Sequence, residues 1–213
     1  MRIGLVVLTC AFLAACGPSV SLRVEQRSLQ QLPLESRLDL LDAENDLFAA
    51  VDRRDDAEQG VEDARIAVRR ANARIGEEEH DLDKAEDTHD KQGVVVGKLA
   101  VDESKVHRDY LETQVDVARA HFRVEEARLL VAEARFERAK ADVAKKAKTP
   151  GSADLKIKEF DDQVTRLEAH VKDVQKGYED EQKDSEKEKQ KWLALSLKLS
   201  QLTGGAQGSA WVE

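Results

Sequence analysis

Large rings and chain breakers are both scarce in this sequence: aromatic residues make up 4% of 213 positions, and proline occurs three times. So few aromatics exclude a thick globular core. Pro18, Pro33 and Pro150 leave long uninterrupted tracts rich in Ala, Glu, Lys, Arg, Asp and Val, which is the composition of extended helices. Cysteine occurs only at Cys10 and Cys16, so the body of the chain can build neither an internal disulfide nor a Cys-containing metal site. No block of one charge is present either. Charged residues are 36% of the chain and the net charge is −9, but the signs are interspersed, which leaves no basic surface for nucleic acid.

Signatures of chemistry are missing as well. There is no Gly-x-Ser-x-Gly elbow, no dinucleotide fingerprint and no calcium loop with a central glycine. The histidines are His80, His89, His107, His121 and His170, and no two have the i, i+4 spacing of a helical zinc site. The one place where a metal could be considered is the neighbourhood of His89 and His107 with Asp87, Asp90 and Asp102, against which stands the reading of solvated surface histidines. Acidic pairs such as Glu78 and Glu79 sit among lysines and arginines at helical spacing, which fits surface ion pairing better than acid/base catalysis. Narrow coiled coils seldom enclose a pocket. The expectation is a non-enzyme with no cofactor and no metal.

Long apolar runs are confined to the start of the chain. Arg2 is followed by residues 3–15, apolar apart from Gly4, Thr9 and Cys10, a length that suits a secretory signal and is too short to span a bilayer. The run ends Leu13-Ala14-Ala15-Cys16, which resembles the lipobox of bacterial lipoproteins; Cys10, preceded by Val-Leu-Thr, fits that pattern poorly. The resemblance implies cleavage before Cys16, acylation of its thiol and amine, and a membrane partner held through lipid. Two or three acyl chains make such attachment effectively stable. In that family an Asp after the cysteine resembles an inner-membrane retention signal; Gly17 stands here, so the outer membrane, facing the periplasm, is the expectation, with the inner membrane and the cell surface left open.

What the chain has in abundance is heptads. Leu40, Leu47, Arg54, Val61, Val68, Ile75 and Leu82 repeat every seventh residue, and Ala43, Ala50, Ala57, Ala64, Ala71, Glu78 and Ala85 follow three later. Alternating steps of three and four put both sets on one helix face. A second tract holds Val96, Glu103, Tyr110, Val117, Val124 and Val131 with Leu99, Val106, Thr113, Ala120, Ala127, Ala134 and Ala141. Alanine at a seam lets helices approach closely, so antiparallel pairing of the two tracts is expected. Pro150 and Gly151 stop the second tract, and a third runs through Ile157, Phe160, Val164, Leu167, Val171, Val174 and Tyr178 to Trp192, Leu195, Leu199 and Leu202. Its middle, residues 179–191, offers no apolar seam and reads as solvated or loosely docked.

Between the first two tracts lies Gly93-Val94-Val95-Val96-Gly97-Lys98. A phosphate loop needs four residues between its glycines and a Ser or Thr after the lysine, and neither is present. A Gly-x-x-x-Gly helix contact belongs to apolar membrane helices, whereas the flanks here are charged. Two readings stay open. The heptad frame is unchanged across the glycines, as one continuous helix of about 160 Å would require. Two interior glycines and three valines cost such a helix about 3–4 kcal/mol, which favours a bend. In the bent form Val94, Val95 and Val96 lie at the distal tip, a candidate partner-docking surface.

The reading is therefore all-α: an elongated antiparallel coiled-coil hairpin plus a third long helix. Its parts are a signal peptide (1–15), a lipidated tether (16–33), the hairpin (34–148, turn about 91–98), a linker (149–154), the third helix (155–203) and a tail (204–213). The tether is read as extended, with Val20, Leu22 and Val24 alternating but no partner strand in view. The function expected is that of a lipid-anchored structural or scaffold protein of the bacterial cell envelope, binding other envelope proteins through helix faces or tip, possible as a homo-oligomer and with no nucleic-acid partner. Residues 37–76 also resemble loosely the periplasmic helices of outer-membrane efflux channels and of membrane-fusion adaptor hairpins, which would imply an accessory role in a transport assembly; the barrel and flanking β-domains of those families have no counterpart here. A holdase-like chaperone is the third reading, at odds with the acidic charge.

Overall fold

The computed structural model describes residues 18–30 and 32–205. Two short helices, α1 (Gln26–Gln30) and α2 (Leu34–Leu38), precede three long ones, α3 (Leu41–Asp87), α4 (Lys91–Lys146) and α5 (Ile157–Leu202). Among the described residues there is no strand. At 56 residues α4 is about 84 Å long and sets the length of the molecule.

The three helices run antiparallel, each to the next, and the expected hairpin plus third helix is present. The seam of the first tract is as the heptads require: Ala50, Ala57, Val61, Ala71, Ile75 and Glu78 are the buried residues of α3. They lie against α4, with Leu82 facing Gly97 and Ala85 facing Gly93. The second tract behaves differently. Sixteen residues of α4 are buried, against six on α3 and five on α5, because α4 packs against both neighbours while these scarcely touch each other. Glu103, Tyr110 and Val131, read from the sequence as part of the hairpin seam, face α5 instead, meeting Trp192 and Leu167.

The hairpin turn is 88–90 rather than 91–98. Gly93 and Gly97 are helical, inside the first two turns of α4. The reversal is made by His89, in the left-handed conformation at φ 59°. The Asp90 amide donates to Ala85 O (2.9 Å) and the His89 amide to Glu86 O (3.1 Å), the Schellman arrangement that satisfies the last carbonyls of α3. Asp90 then caps α4, its Oδ1 accepting from the Gln92 amide at 3.1 Å. A reversal centred near residue 95, within the expected 91–98, would set the alanines of residues 50–71 beside 119–140; the actual turn sets them nearer 108–129, as the Arg53–Glu125 contact of 3.6 Å records. The exit from α4 repeats the device: Lys148 is left-handed (φ 52°), and Thr149 and Lys148 donate to Ala144 O and Lys145 O.

The glycines serve close approach, not the bend. A Cβ at Gly93 would stand 2.5 Å from Asp90 Oδ2 and 3.1 Å from Ala85 Cβ, and one at Gly97 would stand 3.2 Å from Leu82. The i, i+4 pair thus lets α4 press against α3 directly beside a very short turn.

The expected tether is a docked strap. Residues 18–25 are extended, but Val20 and Val24 are buried, Val20 with Val131, Ala134 and Leu167, and Val24 with Ala141 and Phe160. The partner missing from the sequence is therefore a pair of helices, not a strand. One side chain holds the strap: Gln163 Oε1 accepts from the Ser21 amide (2.9 Å), the Ser21 hydroxyl (3.0 Å) and the Leu22 amide (2.9 Å). Buried Glu137 accepts the Val24 amide at 2.8 Å and is neutralised by Lys140. Pro33 precedes a helix, as expected, but α2 is a single turn that breaks at Asp39 and Leu40 before α3 begins.

Candidate functional site at the distal end

The valines lie where the bent reading put them. Val94, Val95 and Val96 occupy the first turns of α4; Val95 is 58% exposed, and its two neighbours are half-buried. Because α5 runs antiparallel to α4, its last turns reach the same end. There Leu193, Leu197 and Leu202 are exposed, while Leu199 is buried. The sequence reading missed Leu193 and Leu197. They fall outside the 192, 195, 199, 202 seam and are apolar all the same, which was the available signal of a second apolar face on that helix end. It also placed Leu202 in the seam, where it is exposed.

Beneath this apolar end is a polar, ring-lined layer joining all three helices. The Trp192 indole donates from Nε1 to Glu103 Oε1 at 2.6 Å. The indole stacks on His107, ring centroids 4.3 Å apart, and on Tyr110 at 5.6 Å. Glu103 and His107 are both buried, as is Glu78 of α3, which Arg74 pairs one turn away. Burial pushes the Glu103 carboxyl above the usual carboxylate range; the Trp192 hydrogen bond opposes this and the neighbouring Glu78 adds to it. Burial holds the His107 imidazole below its ordinary value. Burial thus works against the charged form of both groups.

One step nearer the middle of α5, the segment expected to be loose is held by a hydroxyl layer. Ser185 is 2% exposed; its hydroxyl accepts from Thr113 Oγ1 at 2.9 Å and also bonds the Gln114 amide. Small polar residues let α5 stay close to α4 where no aliphatic seam exists.

His89 and His107 do not come together, since one is in the turn and the other is buried about five helical turns down α4. Among the described residues no group of three or more His, Cys, Asp or Glu could hold a metal ion, and no helix is long and apolar enough to cross a membrane. Cys16 and residues 206–213 of the tail lie outside the described residues. Comparison of the chain with family models, with curated proteins and with solved structures finds no match.

Proposed function

We propose that the chain is a lipid-anchored coiled-coil scaffold of the bacterial cell envelope, tethered through Cys16 and holding other envelope proteins at the far end of its rod. The observation that carries the reading is the exposure of Val95, Leu193, Leu197 and Leu202 at one end of a body about 80 Å long. Exposed leucines are ordinary on a protein surface, and Leu34, Leu38, Leu41 and Phe48 are exposed toward the proximal end as well; the distal four lie on the first turns of α4 and the last turns of α5, at the end of the body away from the strap. The length of the body supports a spacing role, and the Leu-Ala-Ala-Cys motif supports the anchor.

Photo-crosslinking residues at Val95 and Leu197, with exposed Asp52 on the outer face of α3 as control, test the docking end in living cells. Discrete adducts at the first two and none at Asp52 are expected; an adduct at the mass of two chains would make the scaffold a homo-oligomer. Equal, diffuse labelling at all three would remove the docking end. The anchor is tested separately: Cys16→Ser should release the protein from membranes, and unchanged fractionation contradicts lipid attachment. An accessory role in a transport assembly uses the same apolar end and would differ only in the identity of the adduct.

A further inference from the structure

The strap decides where along the rod a lipid on Cys16 must sit. Pro18 shares a surface depression with Phe122, Glu126 and Leu130 of α4 and with His170 of α5. The chain then runs toward the other end of the molecule, through Val20 beside Val131 and Val24 beside Ala141. Its entry point is therefore near residue 128 of α4, about 55 Å from the distal end of that helix and about 27 Å from its proximal end. Only Gly17 separates Cys16 from Pro18, and two residues reach at most about 7 Å. An acyl chain on Cys16 would therefore attach beside the flank of the rod and not at an end.

We infer that the rod lies flat on the membrane, with the strap-bearing flank of α4 against the phospholipid headgroups; this rests on the proposed acylation of Cys16. An upright rod is excluded by the same distances. Held within about 7 Å of the bilayer surface at residue 128, a rod standing tip-outward would drive some 27 Å of its proximal end into the hydrocarbon layer. That end carries Arg138, Asp142, Lys145 and Lys146, whose burial in lipid is prohibitive. Standing the other way would immerse twice as much. The flank carries both signs: Arg54 and Arg123 border the Pro18 depression with Glu58 and Glu126, and Arg23 of the strap, 69% exposed at its side chain, pairs with Glu133, so the reach of the chain and not net charge sets the attitude.

The test is neutron reflectometry of the purified, lipidated full mature chain on supported bilayers of phosphatidylethanolamine and phosphatidylglycerol. Two stacked helix diameters predict a protein layer of about 20–30 Å, whereas an upright rod would give about 80 Å and overturn the inference. A strap-release variant, Val20→Ser with Val24→Ser and Gln163→Ala, converts the strap into a free tether of up to about 35 Å and should thicken and roughen the layer. Its helicity by circular dichroism checks that the rod is intact. Should that variant unfold, the layer thickness of the wild-type chain still decides. Acylation is read independently by mass spectrometry of the Cys16 peptide and by the bilayer binding of Cys16→Ser: an unmodified cysteine sinks the anchor and this inference together, whereas an acylated, bound protein in an 80 Å layer sinks the flat attitude alone.

Discussion

Along the α4–α5 interface the proximal half is built of aliphatics and the distal half of hydroxyls, carboxylates and rings. Proximally, Val131, Ala134 and Leu167 close around Val20, and Ala141 and Phe160 around Val24. Distally, Thr113 and Gln114 meet Ser185, and Glu103, His107 and Tyr110 meet Trp192. The proximal half gains from the hydrophobic effect and has a third layer, the strap, to exclude water. The distal half depends on hydrogen bonds whose net worth is about 1 kcal/mol each and which fail together if one partner is lost. Aliphatic packing thus concentrates in the proximal half, and adjustability at the end proposed to meet partners.

Four experiments would break or sharpen that contrast. Leu167→Ala, at a residue 1% exposed, is expected to cost about 3 kcal/mol and to lower the melting temperature of the whole molecule, because it opens a cavity beneath both α5 and the strap. Gln163→Ala removes the acceptor of three hydrogen bonds and is expected to cost about 2 kcal/mol, with trypsin then cutting at Arg23 and Arg27 well before the long helices are attacked. A loss confined to the distal end from either change would refute the contrast. His89→Gly and Lys148→Gly relieve left-handed backbone at the two turns and should each stabilise by about 1 kcal/mol, measured by chemical denaturation.

The smallest effect is the pH response of the distal layer, where Arg74 and Glu78 of α3 and Tyr110 of α4 surround the two titrating groups. His107 has a lowered pKa when folded, so as pH falls through 6.5 the unfolded chain takes up a proton that the folded one refuses, and stability drops. Glu103 has a raised pKa when folded, so as pH rises from 4.5 the unfolded chain releases its proton first, and stability again drops. His107→Gln should abolish the loss on acidification from pH 7 to 6. Glu103→Gln should abolish the separate loss as pH climbs from 4.5. Hydrogen exchange should place both changes in residues 188–202 and leave the strap amides of Ser21 and Leu22 unmoved; a response at the strap would show that the halves are coupled.

The three long helices were legible because Ala/Leu/Val heptads are local signals that survive in any packing arrangement. The central place of α4 was not, because a period of seven identifies one seam. Its second face contains His107, which reads as a solvated surface histidine, and Glu103, which reads as part of the hairpin seam, until Trp192 is seen opposite them. The turn was misplaced because two glycines and three valines weigh against a helix by propensity, whereas here packing decides: the glycines relieve crowding against Leu82 and Ala85 inside α4, and His89 takes the left-handed conformation. Asp90 as a helix cap was the sign available in the sequence. Val20, Leu22 and Val24 gave the extended conformation of the strap, but its attachment to Gln163 joins positions too distant in sequence for any pattern to reveal. At the distal end Val94, Val95 and Val96 were legible from composition, and Leu193 and Leu197 only once the direction of α5 was known.

That attachment also fixes an order of events. Ser21 and its acceptor are 142 residues apart, so the strap has nowhere to settle until the last long helix has been synthesised and laid alongside α4. Until then Val20 and Val24 stay open to water, and the strap is the last part of the fold to close.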